Sequence, residues 1–243
     1  IARVACDIGT AVTGIQTAIT LYTLVMASRL STGGGLGSIL GRKKAFALGC
    51  VIYGVGSFTT SLAPNLAVLL IGWSLLEGIG AALSMPASVA LVATNFDRPD
   101  RPRAYGLVAA AGAVAVAAGP LIGGALTTYA SWRWVFAGEV VIVAIILAMT
   151  GRMADGESDR DARLDLGGTA LSALGLGLVV FGILLAGAWG FVNPKPGAPV
   201  WIGLSPTIWL MLGGGLVLLV FAAWEKRRVE AGQSVLIDPT ILR

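Results

Sequence analysis

The chain of 243 residues is 56% hydrophobic and only 12% charged, and its mean hydropathy is +0.84. Soluble domains carry about 25% charged residues, so this composition indicates a membrane protein. The chain has no histidine, which excludes a His-dependent catalytic triad and a Cys/His metal cluster. Its net charge of +4 comes from short basic clusters between apolar runs, which is a signal of membrane topology, so we expect no nucleic-acid partner. We also expect no enzyme activity and no cofactor.

Seven stretches are long and apolar enough to be transmembrane helices, each of which needs about 20 mostly apolar residues. None shows the alternation of a strand, so the pattern predicts an all-α polytopic bundle and not a barrel. The predicted spans are residues 11–31, 45–62, 66–89, 104–126, 134–150, 166–188 and 207–224.

Basic residues are distributed unequally between the two sets of alternating loops. The richer set is predicted to be cytoplasmic by the positive-inside rule, which makes the chain a multi-pass protein of the cell membrane. The richer set contains Arg42, Lys43, Lys44, Arg98, Arg101, Arg103, Arg152, Arg160, Arg163, Lys226, Arg227 and Arg228. The opposite set contains Arg3, Arg133 and Lys195.

A polar segment of mixed charge, residues 152–165, interrupts the apolar pattern after the fifth span. We interpret it as a cytoplasmic linker between two parts of the protein. The predicted organisation is therefore a bundle over residues 1–151, the linker, a pair of transmembrane helices over 166–226 and a polar end over 227–243.

The glycine-rich sequence GGGLGSILGRKK, residues 33–44, follows the first span. It is not a P-loop, because no serine or threonine follows the basic residues to hold a magnesium ion. We interpret it as a tight cytoplasmic loop between two membrane helices. It resembles the signature loop of the major facilitator superfamily, Gly-x-Leu-x-Asp-x-x-Gly-Arg-Lys, and the matching residues are Gly34, Leu36, Gly37, Gly41, Arg42 and Lys43.

Ser38 stands where that family has its aspartate. In the family, this acid helps to hold the cytoplasmic side shut, so the resemblance implies a weaker latch here. A neutral hydrogen bond contributes about 1 kcal/mol, whereas a bond to a charged group contributes about 1.5–3 kcal/mol.

The sequence GPLIGG, residues 119–124, resembles the antiporter motif in the fifth helix of drug exporters. It continues a stripe of small residues at positions 111, 115, 119 and 123, which allows close helix approach, and its proline favours a kink. Ordinary helix packing is an equally good explanation of the stripe. The motif residues are Gly119, Pro120, Gly123 and Gly124.

Three further segments resemble the fourteen-helix drug:proton antiporters of this superfamily: LLEGIGAAL at 75–83, SWRWVFAGEV at 131–140 and LIDPTILR at 236–243. The resemblance implies a chain that runs from just before the second helix to just after the eighth. It would lack the first helix and the second six-helix bundle. Ser74 and Glu77 depart from the pattern, since they stand where the branch has arginine and glutamine.

Glu77 is the leading candidate for a proton-carrying residue. It lies about 11 residues into its span, which is roughly 16 Å at 1.5 Å per residue, near the middle of a membrane core about 30 Å thick. An acid at this depth usually faces a cavity or a partner. The alternative is a protonated side chain that only binds a neighbouring helix.

Two more polar residues are candidates for contact with protons or substrate. Glu139 could line an outer cavity or pair with Arg133 at the membrane interface, where such pairing has little cost. Gln16 shares a helix face with Thr20 and Thr23, which could bind a substrate or a neighbouring helix.

The resemblance implies a proton-coupled exporter of small amphipathic or cationic compounds that works by alternating access. Its partners would be the substrate, protons, the lipid bilayer and the missing remainder of the chain. A proton-coupled metabolite symporter and a truncated membrane protein without transport activity are the alternatives.

Overall fold

The structure is a computed structural model that describes residues 1–155 and 165–231. Over these residues the chain is helical, apart from an isolated bridge between Trp201 and Leu204. The helices are α1 (Ala2–Asp7), α2 (Val12–Leu40), α3 (Arg42–Ser61), α4 (Leu66–Leu69), a π-helical segment (Leu70–Glu77), α5 (Gly78–Asn95), α6 (Arg101–Tyr129), α7 (Arg133–Thr150), α8 (Leu166–Trp189) and α9 (Pro206–Glu230).

Each of the seven predicted spans is helical, which confirms the all-α polytopic class. Among the described residues, five helical units are long and apolar enough to cross a membrane: the continuous span Leu66–Asn95, α6, α7, α8 and α9. The other two predicted spans correspond to α2 and α3, which are helices of 29 and 20 residues with a larger share of polar side chains.

The glycine-rich segment before Gly41 is not a loop, so that part of the sequence interpretation was wrong. α2 continues to Leu40, and the chain turns only at Gly41, whose φ of +88° suits glycine. Packing explains the difference. Gly33 is buried against α5, where an added Cβ would lie 2.8 Å from the carbonyl carbon of Ala82. Close helix contact here outweighs the low helix propensity of glycine.

The centre of the bundle is formed by α2, α3, the π segment and α5, with α7 packed against α3. Glycines allow the backbones to approach closely. An added Cβ at Gly56 of α3 would lie 2.7 Å from the carbonyl oxygen of Gly72, and one at Gly80 would lie 2.7 Å from that of Gly49. This glycine seam joins α3 to the π segment and α5.

α8 and α9 pair with each other, and α8 packs on α2. Asp165 stabilises one end of the pair. Its Oδ2 accepts a hydrogen bond from Trp224 Nε1 at 2.9 Å and forms an ion pair with Arg228 Nε at 3.2 Å. The predicted linker 152–165 is described only up to Asp155 and at Asp165. Arg160, Arg163 and the segment 236–243 lie outside the described residues.

Candidate functional site

Glu77 lies at the end of the π-helical segment, and its side chain is only 1% exposed. Its Oε1 has no hydrogen-bond partner among the described residues. The glycine seam explains this burial, because Gly56 leaves room for the Glu77 side chain: an added Cβ at Gly56 would lie 2.8 Å from Glu77 Cγ. π-helical turns are rare and occur frequently at functional sites.

Glu139 of α7 turns towards α3. Its Oε2 accepts a hydrogen bond from Ser57 Oγ at 2.9 Å and one from Tyr53 OH at 3.3 Å. Glu139 also lines a cavity of about 300 Å³ together with Tyr53 and Cys50. Glu139 therefore lies beside a cavity, and the expectation that this cavity opens to the outside stays a prediction.

One interpretation of the sequence was that Arg133 pairs with Glu139, but the structure does not show this pair. Its guanidinium donates to the carbonyl oxygens of Ser61 at 2.9 Å and Ala63 at 2.8 Å, and it lies 4.7 Å from the ring centre of Trp132. Ser61 is the last residue of α3 and Ala63 lies just beyond it, at a helix end where unpaired acceptors attract a cation. Arg133 thus caps α3 instead of neutralising an acid.

The two glutamates both lie against α3, Glu77 of the π segment beside Gly56 and Glu139 of α7 beside Ser57. The hydroxyl of Ser57, which is fully buried, donates to Glu139 Oε2, and Glu77 Cγ lies beside the neighbouring Gly56. A buried acid, a half-buried acid and a buried hydroxyl therefore lie close to one another against α3, and we call them the glutamate cluster (Ser57, Glu77 and Glu139).

Gln16 lies apart from the glutamate cluster. It lines a groove of about 770 Å³ between α2 and α8, together with Thr13, Thr17 and Thr20. The hydroxyl of Thr23 donates to the carbonyl oxygen of Ile19 in its own helix at 3.0 Å. The predicted polar face of α2 therefore splits: Gln16 and Thr20 line this groove, while Thr23 bonds within α2.

Ser38 is exposed on α2, and its hydroxyl donates to the carbonyl oxygen of Gly35 at 2.7 Å. In the same signature segment, Arg42 reaches α5, where its Nη1 donates to Thr94 Oγ1 at 3.2 Å. The weakened latch at Ser38 stays a prediction, although its hydroxyl is bonded within α2. The remaining signature residues are Gly34, Leu36 and Gly37 in α2, Gly41 at the turn and Lys43 in α3.

An acid does lie at the start of α3, but it comes from a distant part of the chain. Asp155 Oδ1 accepts a hydrogen bond from the backbone N–H of Lys43 at 3.0 Å, and the Lys43 ammonium donates to the carbonyl oxygen of Met153 at 2.7 Å. A carboxylate is favoured at this end of a helix. We call this contact the Asp155 clasp (Lys43, Met153 and Asp155).

The antiporter-like motif of α6 lies on an exposed surface of the described chain. A Cβ added at Gly119, Gly123 or Gly124 would meet no atom within 4 Å. α6 continues as a helix through Pro120. The small-residue stripe therefore does not mediate helix packing among the described residues, and its role as an antiporter motif stays a prediction.

The chain matches the family model of the Major Facilitator Superfamily over residues 2–224. It belongs to this superfamily. With five apolar spans in the part of the chain that the structure describes, this is a multi-pass membrane protein of a transporter family that handles small molecules.

Relatives include the puromycin resistance protein pur8 of Streptomyces alboniger, 33% identical over 92% of this chain and 42% of the relative. The cephamycin export protein CmcT of Amycolatopsis lactamdurans is 32% identical over 92% of this chain and 44% of the relative. The methylenomycin A resistance protein of Bacillus subtilis is 32% identical over 74% of this chain and 39% of the relative. The chain spans about two fifths of the length of each.

Sequence reasoning missed Ser57, Tyr53 and Asp155. A serine and a tyrosine in an apolar span carry no signal of their own, because hydroxyls often bond within their own helix. Only the packing of α3 against α7 gives these two a common partner. Asp155 is 112 residues from Lys43, so no local pattern connects them.

Proposed function

We propose that the complete protein exports small amphipathic or cationic compounds from the cell, driven by protons and by alternating access. It would move its substrate without transforming it chemically. The family assignment supports transport, and the names of the relatives, with two resistance proteins and one export protein among those above, support export. The resemblance to fourteen-helix drug:proton antiporters supports a chain that continues into a second bundle.

Glu77 carries the proton in this proposal. The observation that supports it is a carboxyl group only 1% exposed, with an oxygen that has no hydrogen-bond partner among the described residues. An ionised carboxylate is unfavourable in such a buried place, so the site favours the protonated, neutral carboxyl group. Protonation then favours one of the two conformations of the alternating-access cycle, and bound substrate favours the other.

The loops rich in Arg and Lys would face the cytoplasm, which places the Asp155 clasp and the signature segment on that side. Residues 1–151 would form most of the first bundle, without its first helix. Residues 152–165 would then connect this bundle to the central pair formed by α8 and α9.

The test uses the complete protein in proteoliposomes with an imposed pH gradient and puromycin as the probe. Proton-driven movement of puromycin is expected for the wild type and is expected to be lost in Glu77→Gln. Glu230→Gln is the matched control, because Glu230 is an exposed acid at the end of α9. Unchanged pH dependence in Glu77→Gln would reduce Glu77 to a packing residue. Substrate and proton moving in the same direction would indicate the symporter, and no movement of any probe would indicate a protein without transport activity.

A further inference from the structure

The cavity beside Glu139 combines a carboxyl group with aromatic and apolar walls. It has a volume of about 300 Å³, and its lining residues come from α3, α5 and α7. We propose that this cavity binds a small organic ammonium ion, whose charge pairs with the Glu139 carboxylate. The proposal deepens the proposed function, because it gives the cationic group of a substrate a place in the protein, and it rests on that function for this use.

Two hydroxyl groups of α3 hold the Glu139 carboxyl group at the cavity. Ser57 Oγ donates to Glu139 Oε2 at 2.9 Å, and Tyr53 OH donates to the same oxygen at 3.3 Å. Donors of this kind favour the ionised form of a carboxyl group. Glu139 Oε1 accepts no hydrogen bond from the described residues, so it keeps its full capacity to contact a ligand.

No positively charged side chain of the described residues pairs with Glu139. Arg133 of the same helix donates to the carbonyl oxygens of Ser61 and Ala63 instead. An acid within a membrane-spanning helix ordinarily pairs with an opposite charge or faces a polar cavity. A positively charged ligand in this cavity would supply the opposite charge that the described protein does not provide.

The walls of the cavity favour an organic cation. Phe46 and Tyr53 contribute aromatic rings, and α7 contributes the aliphatic side chains of Ile142, Val143 and Ile146. Aromatic faces attract ammonium groups, and apolar walls bury the alkyl substituents of such an ion. A hard metal ion would instead need several oxygen ligands. The combination of one carboxyl group with aromatic and aliphatic walls therefore matches an alkylammonium ion.

The volume of the cavity limits the size of this ion. A water molecule takes up about 30 Å³ in the liquid, so a cavity of about 300 Å³ holds roughly ten heavy atoms. Choline is smaller than this limit. Ser84 of α5 also lines the cavity and offers a hydroxyl group to the hydroxyl of choline. Choline is therefore a suitable probe, and dimethylbutanol, in which carbon replaces the nitrogen, has the same shape without the charge.

The first experiment measures binding at equilibrium, without a proton gradient. Calorimetric titration of the complete protein in nanodiscs compares choline with dimethylbutanol. We expect choline to bind about tenfold more tightly or better, because only choline pairs its charge with Glu139. Equal affinity for the two compounds would show an apolar pocket without a cation site and would overturn the proposal, as would binding of neither.

The same titration on variants locates the site. Glu139→Gln keeps the shape of the side chain but removes its charge, so it should weaken choline binding by about tenfold or more. Phe46→Leu should weaken it by roughly two- to fivefold, through loss of one aromatic ring. Glu230→Gln is the control and should bind as the wild type does, because Glu230 is an exposed acid at the end of α9.

Wild-type affinity in Glu139→Gln would overturn the site. Thermal unfolding of each variant separates loss of the site from loss of the fold. The comparison of choline with dimethylbutanol uses the wild type alone, so it decides the proposal even if Glu139→Gln does not fold.

The second experiment connects the site to transport. In proteoliposomes with an imposed pH gradient, choline should slow the export of puromycin, which carries an amino group. Phe46→Leu should need roughly two- to fivefold more choline for the same inhibition. Choline that binds but leaves puromycin export unchanged would overturn the use of this cavity by a substrate. A protein that binds choline as expected but moves no probe would instead reject the proposed function and leave the cation site in place.

Discussion

Gly56→Ala tests whether close contact between α3 and the π segment holds Glu77 in place. An added Cβ at Gly56 would lie 2.7 Å from the carbonyl oxygen of Gly72 and 2.8 Å from both the backbone nitrogen and Cγ of Glu77. Comfortable contacts of a methyl group begin near 3.5 Å, so α3 must move away by roughly 0.7 Å or more. Backbone atoms form most of the obstacle and cannot rotate aside.

The expected cost follows from measured overpacking of cores. Insertion of a methyl group into a closely packed contact costs typically about 1–3 kcal/mol. Gly138→Ala in α7 is the matched control, because an added Cβ there meets no atom within 4 Å. Alanine is favoured over glycine inside a helix by roughly 0.5–1 kcal/mol, so the control should be neutral or stabilising.

The assay is the equilibrium unfolding of the complete protein in bicelles or mixed micelles. Gly56→Ala should lower the free energy of unfolding by about 1–3 kcal/mol, and it should also weaken proton-driven export, because Glu77 is displaced. Equal stability of Gly56→Ala and Gly138→Ala would refute the packing argument. A loss of stability with unaltered export would show that the glycine seam stabilises the fold but does not set the position of Glu77 that export needs.

Three other predictions address orientation, the clasp and a helix cap. On a cysteine-free background, Arg98→Cys should be shielded from an impermeant thiol reagent added outside the cell, whereas Asn193→Cys should react; labelling of both would overturn the orientation. Asp155→Asn should weaken the bond to the N–H of Lys43 by about 1 kcal/mol, because a neutral acceptor replaces a charged one. A spin label at position 152 should then become more mobile, and unchanged mobility would show that the clasp contributes nothing. Arg133→Gln should destabilise the protein by about 1–3 kcal/mol through loss of two carbonyl contacts, measured by unfolding, while a wild-type value would contradict the capping role.

The amino-acid sequence alone determined that this is a helical membrane protein and where its spans lie. These features depend on local composition, since a span needs about 20 apolar residues whatever its neighbours are. The depth expected for Glu77 rests on its place in the span and stays a prediction. The resemblance to the major facilitator superfamily also came from short segments in order along the chain, and the family match over residues 2–224 confirms it.

The limits of the sequence appear where a residue type fits two environments. Residues 33–37, four of which are glycine, were interpreted as part of a loop, yet α2 runs through them where Gly33 packs on α5, although glycine is a poor helix former. The small-residue stripe of α6 drew attention, but the close contacts occur at Gly56 and Gly72, in the seam between α3 and the π segment. A small side chain permits close approach without specifying which helix approaches.

Only the tertiary structure decided which polar groups meet. Glu139 could have paired with Arg133 or faced a cavity, and the packing of α7 against α3 directed it to Ser57. The Asp155 clasp joins residues 112 positions apart in the chain. The physical reason is the same in both cases: apolar character is a property of a segment, whereas a hydrogen bond between helices depends on the positions of two segments at once.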